Sequence, residues 1–158
     1  MPVSLEFINQ LQHAINLVAT RNDTQSEQVA IIPSGTIDIS AGENQLVELD
    51  HRWEDRIQKL TSAPNDPATW AEIHFNAFQN MIFVDISFIR GYNGLLVFTN
   101  SQGNYVLDAT EPYTGGQNTD LISYYRSRVP IGQGYIVPDD HSSSHGTQDT
   151  HINLEIYS

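Results

Sequence analysis

Residues 70–93 read WAEIHFNAFQNMIFVDISFIRGYN, and the pattern of this segment is the strongest indication of the fold in the sequence. Residues 70–75 and 82–88 are rich in β-branched and aromatic side chains and carry polar residues between them, which is typical of strands. A turn between the two runs would bring the second strand back alongside the first. Glu72 and Asp85, thirteen residues apart, are then expected at cross-strand distance on one face of a sheet.

The rest of the chain continues as short strands separated by polar turns. This spacing predicts an all-β fold, a two-sheet antiparallel β-sandwich with at most a short helix over residues 121–128. A length of 158 residues predicts a single domain, residues 1–158. The other predicted strands are residues 3–8, 14–19, 29–32, 36–39, 45–49, 95–99, 104–107, 135–137 and 152–157, and residues 139–150 are predicted to form a polar loop.

The charge balance limits the kinds of partner. Nineteen acidic residues face seven basic ones, which gives a formal net charge of -12. Nucleic acids and anionic membranes are polyanions that need a basic surface, so we expect neither as a partner. A glycan or another neutral or cationic ligand suits this composition.

The cysteine count and the N-terminus bear on the compartment. There are no cysteines, which excludes disulfides, thiolate metal sites and a cysteine nucleophile. Residues 1–19 have neither a basic start nor a continuous apolar run, so they do not read as a signal peptide. These features predict a cytoplasmic or unconventionally exported protein, and no feature of the sequence predicts a cofactor.

The segments AEIHFN (71–76) and DISFIRGYN (85–93) resemble the central segment of the thaumatin-like family of sweet proteins, osmotins and pathogenesis-related proteins. Weaker similarity extends to residues 7–9, 41–43 and 134–140, so the resemblance covers the sandwich from end to end. The chain lacks the disulfides and the large disulfide-rich insert of that family. It resembles a small, cysteine-free member.

The resemblance implies an acidic cleft built from one arginine, one glutamate and three aspartates. Glu72 and Asp85 fall on the glutamate and the first aspartate, whereas the arginine falls near Lys59 or Leu60. Arg90 stands where the family has its second aspartate, and the last falls on Asp139 or Asp140. The predicted ligand-binding residues are therefore Glu72, Asp85, Arg90, Tyr92, Asp139 and Asp140.

The family resemblance implies carbohydrate binding, of β-glucan type, in a defence or cell-wall role. One alternative is a weak β-1,3-glucanase with Glu72 and Asp85 as its catalytic pair, because glycoside hydrolysis needs two carboxyl groups. Arg90 would favour ionisation of both groups, which argues for binding over catalysis. A second alternative is an interaction or cytolysin-like sandwich without a small-molecule site. In that case Glu72 and Asp85 are solvated strand residues, or Asp85 hydrogen-bonds the turn that follows.

A cluster of histidines near the C-terminus offers a candidate metal site. His141, His145 and His151 lie near several aspartates, and imidazole and carboxylate are both zinc ligands. Residues 139–151 are rich in serine and predicted to be mobile, so any zinc affinity is expected to be weak. The alternative is an ordinary solvated polar loop.

Overall fold

The computed structural model describes residues 3–21, 28–29, 36–49, 54–60, 68–75, 81–89, 91–99, 132–136 and 141–157. Eleven strands and one 3-10 turn make up the regular structure of this part of the chain. They are β1 (Val3–Asn9), β2 (Ile15–Arg21), β3 (Gln28–Val29), β4 (Ile37–Ile39), β5 (Asn44–Leu49), β6 (Glu54–Lys59), β7 (Trp70–His74), β8 (Ile82–Ser87), β9 (Leu96–Phe98), the 3-10 turn His141–Ser143, β10 (His145–Thr147) and β11 (His151–Ile156).

The strands form two sheets. Sheet A has the order β5-β1-β11-β9, and sheet B has the order β10-β8-β7-β6-β2-β3, with β4 also paired to β2. All pairs in sheet B are antiparallel. Sheet A contains one parallel pair, because β1 and β11 run side by side in the same direction.

The core lies between the two sheets, where alternate residues of each strand are buried. On β1, Leu5 and Phe7 are buried, and the residues between them are partly exposed. On β8, Ile82, Val84 and Ile86 are buried in the same cluster. This period of two is what a strand with one buried face requires.

Asn9 connects the end of β1 to two loops from inside the protein. Its Nδ2 donates to the carbonyl oxygens of His13 at 2.9 Å, Ile39 at 3.1 Å and Ser40 at 3.1 Å. Its Oδ1 accepts the N–H of Leu11 at 3.0 Å. One buried side chain therefore satisfies four backbone groups, as buried polar groups require.

The predicted two-sheet sandwich is confirmed, and the structure differs from the expectation in four respects. Of the strand predicted over residues 135–137, Tyr135 forms an isolated bridge with Ser87, and Ile136 lies in a bend. The pairing of β1 with β11 is parallel, so the sandwich is not wholly antiparallel. Strand β6 was not predicted, because EDRIQK holds one aliphatic residue and shows no apolar alternation. Residues 139–150, expected to be a loop, contain the 3-10 turn and β10.

Two predicted elements, the helix over 121–128 and the strand over 104–107, lie outside the described residues. Among the residues that the structure does describe, no helix is both long and apolar enough to cross a membrane.

Candidate functional site

Glu72 and Asp85 lie directly opposite each other on β7 and β8. Both alternate with buried residues, so both point to the outer face of sheet B, away from the core. The Glu72 carboxyl group is within hydrogen-bonding reach of the Asp85 carboxyl group. The predicted cross-strand neighbourhood of these two acids is confirmed.

Asp85 is held in a setting that favours its protonated form. Burial raises the pKa of Asp85 well above its ordinary value, and the charge and hydrogen bond of Glu72 raise it further. Asp85 keeps some exposed surface as a whole residue, but its Oδ1 is buried and has no hydrogen-bond partner among the residues that the structure describes. A proton held on Asp85 relieves the repulsion between the two like charges.

Arg56 places a positive charge on this face. It lies opposite Glu72 on β6, so one row across sheet B reads Arg56, Glu72, Asp85. Its side chain is fully buried, and its guanidinium carbon lies 3.4 Å from the centroid of the Trp70 ring. Stacking on an aromatic face suits the planar guanidinium and fixes its orientation beside the acidic pair.

Two aromatic residues flank the acidic pair along the strands. Trp70 precedes Glu72 by two positions on β7, and Phe83 precedes Asp85 by two positions on β8. Because the strands are antiparallel, the two rings lie at opposite ends of the pair, four residues or about 13 Å apart along the sheet. His74, opposite Phe83, lies 3.4 Å from Glu54. Aromatic and carboxyl groups thus form one partly exposed strip.

The other predicted cleft residues do not join this strip within the part of the chain described. Tyr92 packs against the core, with its ring centroid 6.2 Å from that of Phe88. Gly91 has φ of 132° and donates its N–H to the Phe88 carbonyl at 3.1 Å, so the turn after β8 depends on this glycine. The predicted residues Arg90, Asp139 and Asp140 lie outside the described residues.

Lys59 is on the opposite face of β6 from Arg56. It is three positions away, and it faces the same side as the buried Ile57. Its amine lies near Gly94, and burial lowers the pKa of Lys59. The position near Lys59 or Leu60, to which the resemblance assigned the arginine, therefore does not supply the charge beside Glu72.

His145 and His151 are held by separate contacts, and His141 is apart from both. His145 Nε2 lies 2.6 Å from the Gly132 carbonyl oxygen, and His151 contacts Ser4 and Asn153. His141 is exposed at the start of the 3-10 turn. In the described ranges there is no group of three or more histidine, aspartate or glutamate side chains arranged to hold a metal.

The sequence alone did not identify Arg56 as a neighbour of Glu72 on this face. The segment EDRIQK gives no strand signal, so its register against β7 is not readable from the sequence. Once the pairing is known, the position follows directly, because Arg56 is the cross-strand neighbour of Glu72. A strand prediction for residues 54–59 would have found it.

The fold is thaumatin-like, as comparison with solved structures shows. The thaumatin-like xylanase inhibitor TLXI superimposes with a TM-score of 0.55 at 11% identity, covering 96% of this chain and 97% of its own. The protein elicitor MoHrip2 from Magnaporthe oryzae superimposes with a TM-score of 0.53 at 8% identity, covering 99% of each chain. No family model and no curated protein sequence matches the chain. At these identities the similarity establishes the fold alone.

Proposed function

We propose that the outer face of sheet B binds a neutral glycan of β-glucan type, in a defence or cell-wall setting. The observation that carries this proposal is the direct pairing of Glu72 with Asp85. A proton held on Asp85 gives the pair both donor and acceptor capacity toward sugar hydroxyl groups. Trp70 and Phe83 at either end supply apolar ring surface for the faces of sugar rings.

The charge of the protein supports a neutral ligand over an acidic one. The net charge of -12 repels anionic polysaccharides, and the acidic pair lies on the partly exposed surface. The length of the strip, about 13 Å between the two aromatic rows, suits an oligosaccharide more than a single sugar. Of the two structural neighbours, one is a xylanase inhibitor and the other is a protein elicitor.

The geometry favours binding over hydrolysis. Glycosidases hold their two carboxyl groups about 5 Å apart or more, so that the scissile bond lies between them. Glu72 and Asp85 are direct cross-strand neighbours whose carboxyl groups interact with each other, so they do not stand on opposite sides of a gap that a glycosidic bond could enter. We therefore expect no appreciable β-1,3-glucanase activity from this pair.

The test is retention on insoluble β-1,3-glucan, followed by calorimetry with soluble laminarin. We expect the wild-type protein to bind and Glu72→Gln to bind about tenfold more weakly, a loss of about 1.4 kcal/mol. Glu48→Gln is the matched control, because Glu48 is exposed on β5 in sheet A and removes the same charge. No retention of the wild type, or equal losses in the two variants, contradicts glycan binding at this face. Release of reducing sugar that Glu72→Gln abolishes indicates a glucanase instead.

A further inference from the structure

A serine, a histidine and an acid lie in line on the outer face of sheet A, the side of the sandwich away from Glu72. Ser4 and His151 are register partners on the parallel strands β1 and β11. Ser4 Oγ is 2.8 Å from His151 Nδ1. His151 Nε2 is 2.9 Å from Asn153 Oδ1 and 3.5 Å from Glu6 Oε2.

The neighbours of the ring determine which nitrogen carries the proton in neutral His151. Asn153 Oδ1 and the Glu6 carboxylate have lone pairs and no proton to donate, so Nε2 carries the proton; it donates to Asn153 Oδ1 and faces the Glu6 carboxylate. Nδ1 is then the lone-pair nitrogen, and it accepts the hydrogen bond of the Ser4 hydroxyl. This is the order of groups by which a histidine base activates a serine and an acid orients the base.

We propose that Ser4 is a nucleophile, activated by His151, that accepts an acyl group from neutral activated esters. In the step, Ser4 Oγ bonds to the carbonyl carbon while its proton passes to His151 Nδ1. The bond between that carbon and the leaving oxygen breaks, and the leaving group departs as an aryloxide with the electron pair. The imidazolium then loses its proton to water, and the product is an ester on Ser4.

The surroundings of Ser4 define the class of acyl donor. Its own N–H donates to the Thr150 carbonyl at 2.9 Å, so this group is not available to stabilise a developing oxyanion. The reaction therefore depends on a good leaving group, and hydrolysis of the ester on Ser4 is slow. Glu48 on β5 is the register partner of Ser4 from the other side, and Glu6 is on the same face. Two carboxylates beside the nucleophile disfavour anionic acyl donors.

The first experiment measures acetylation of the full chain by p-nitrophenyl acetate, with peptide mass mapping to separate Ser4 from the amines of Met1 and Lys59. We expect a single turnover in which Ser4 is acetylated, and a rate at Ser4 about a hundredfold lower in His151→Gln. His151 is half-exposed, so this variant is expected to fold, which circular dichroism checks. Acetyl phosphate, an anionic donor, is expected to leave Ser4 unmodified. Absence of the label on Ser4, or an equal rate in His151→Gln, overturns the proposal.

A second experiment tests the activation without an acyl donor. Ser4→Cys introduces the only cysteine of the chain, and Ser40→Cys places one in an exposed turn as the control. We expect Ser4→Cys to react with iodoacetamide at pH 7 at least about tenfold faster than Ser40→Cys, because a neighbouring imidazole promotes the thiolate. Ser40 is the more exposed position, so access alone predicts the opposite order. Adding His151→Gln should remove the difference, and a difference that persists would mean that His151 is not the activating group.

Discussion

Replacing Asp85 by asparagine should make the protein more stable at neutral pH. Burial and the Glu72 carboxylate raise the pKa of Asp85, so the native state holds a proton there that the unfolded chain releases. When the native state binds more protons, stability is full at acidic pH and falls as pH rises from the ordinary aspartate range toward the raised pKa. An asparagine amide has the shape of the protonated acid and has no proton to lose.

The magnitude follows from the cross-strand spacing. Two unit charges about 5 Å apart repel by about 3 kcal/mol at an effective dielectric constant of 20, and burial adds to the cost of ionising Asp85. Because the retained proton already removes part of that repulsion, we expect Asp85→Asn to raise the free energy of unfolding by about 1 to 2 kcal/mol at pH 7. For a chain of this length that is about 3 to 6 °C in Tm.

The assay is thermal unfolding at pH 4 and pH 7, followed by circular dichroism. The gain should be present at pH 7 and nearly absent at pH 4. Asp149→Asn is the control, because Asp149 is exposed and its change removes one negative charge from the same acidic protein. A gain of equal size in the control, or a gain in Asp85→Asn that does not depend on pH, would refute the reasoning.

Three further changes test other parts of the structure. Asn9→Asp should lower the free energy of unfolding by about 3 kcal/mol in chemical denaturation, because a carboxylate cannot donate to the three carbonyls that the amide now satisfies; an unchanged midpoint contradicts this. Gly94→Ala should lower the free energy of unfolding by about 1 to 2 kcal/mol, since φ is 138° and a Cβ would lie 3.1 Å from the Tyr157 carbonyl oxygen. Gly42 also has a positive φ but nothing within 4 Å of a Cβ, so Gly42→Ala measures the effect of φ without the close contact. Arg56→Lys should quench or shift the tryptophan fluorescence and lower Tm, because an ammonium lacks the planar stack on Trp70; a spectrum and Tm like the wild type would contradict the stacked arrangement.

The strands that sequence patterns predicted are those with one apolar face. β7 and β8 alternate buried and partly exposed residues, and this period of two fixed both their assignment and the facing of Glu72 and Asp85. Several of the buried side chains of β6 are polar, among them Arg56 and Gln58. Its sequence therefore shows no alternation of apolar and polar residues. β10 has the sequence HGT and pairs with β8 through backbone hydrogen bonds. Its three side chains show no pattern from which a strand could be predicted.

The part of the site that depends on the pairing of strands neighbouring in sequence could be predicted. The pairing of Glu72 with Asp85 depends on a hairpin of neighbouring strands, which sequence spacing can specify. The contact of Ser4 with His151 joins residues 147 positions apart, and nothing local relates them. The histidines were considered as metal ligands because the sequence shows which side chains are present and does not show which backbone or side chain each one meets.

The parallel pairing of β1 with β11 has a consequence for synthesis on the ribosome. β11 lies between β1 and β9 in sheet A, and its residues are translated after those of every other described strand. Until then, β1 can pair only with β5, and its other edge stays open to water and to other nascent chains. Sheet B, whose strands β2, β6, β7 and β8 are consecutive partners, can assemble during translation. Sheet A is therefore completed only after β11 has been translated, and in the interval before that the growing chain is exposed to aggregation through the open edge of β1.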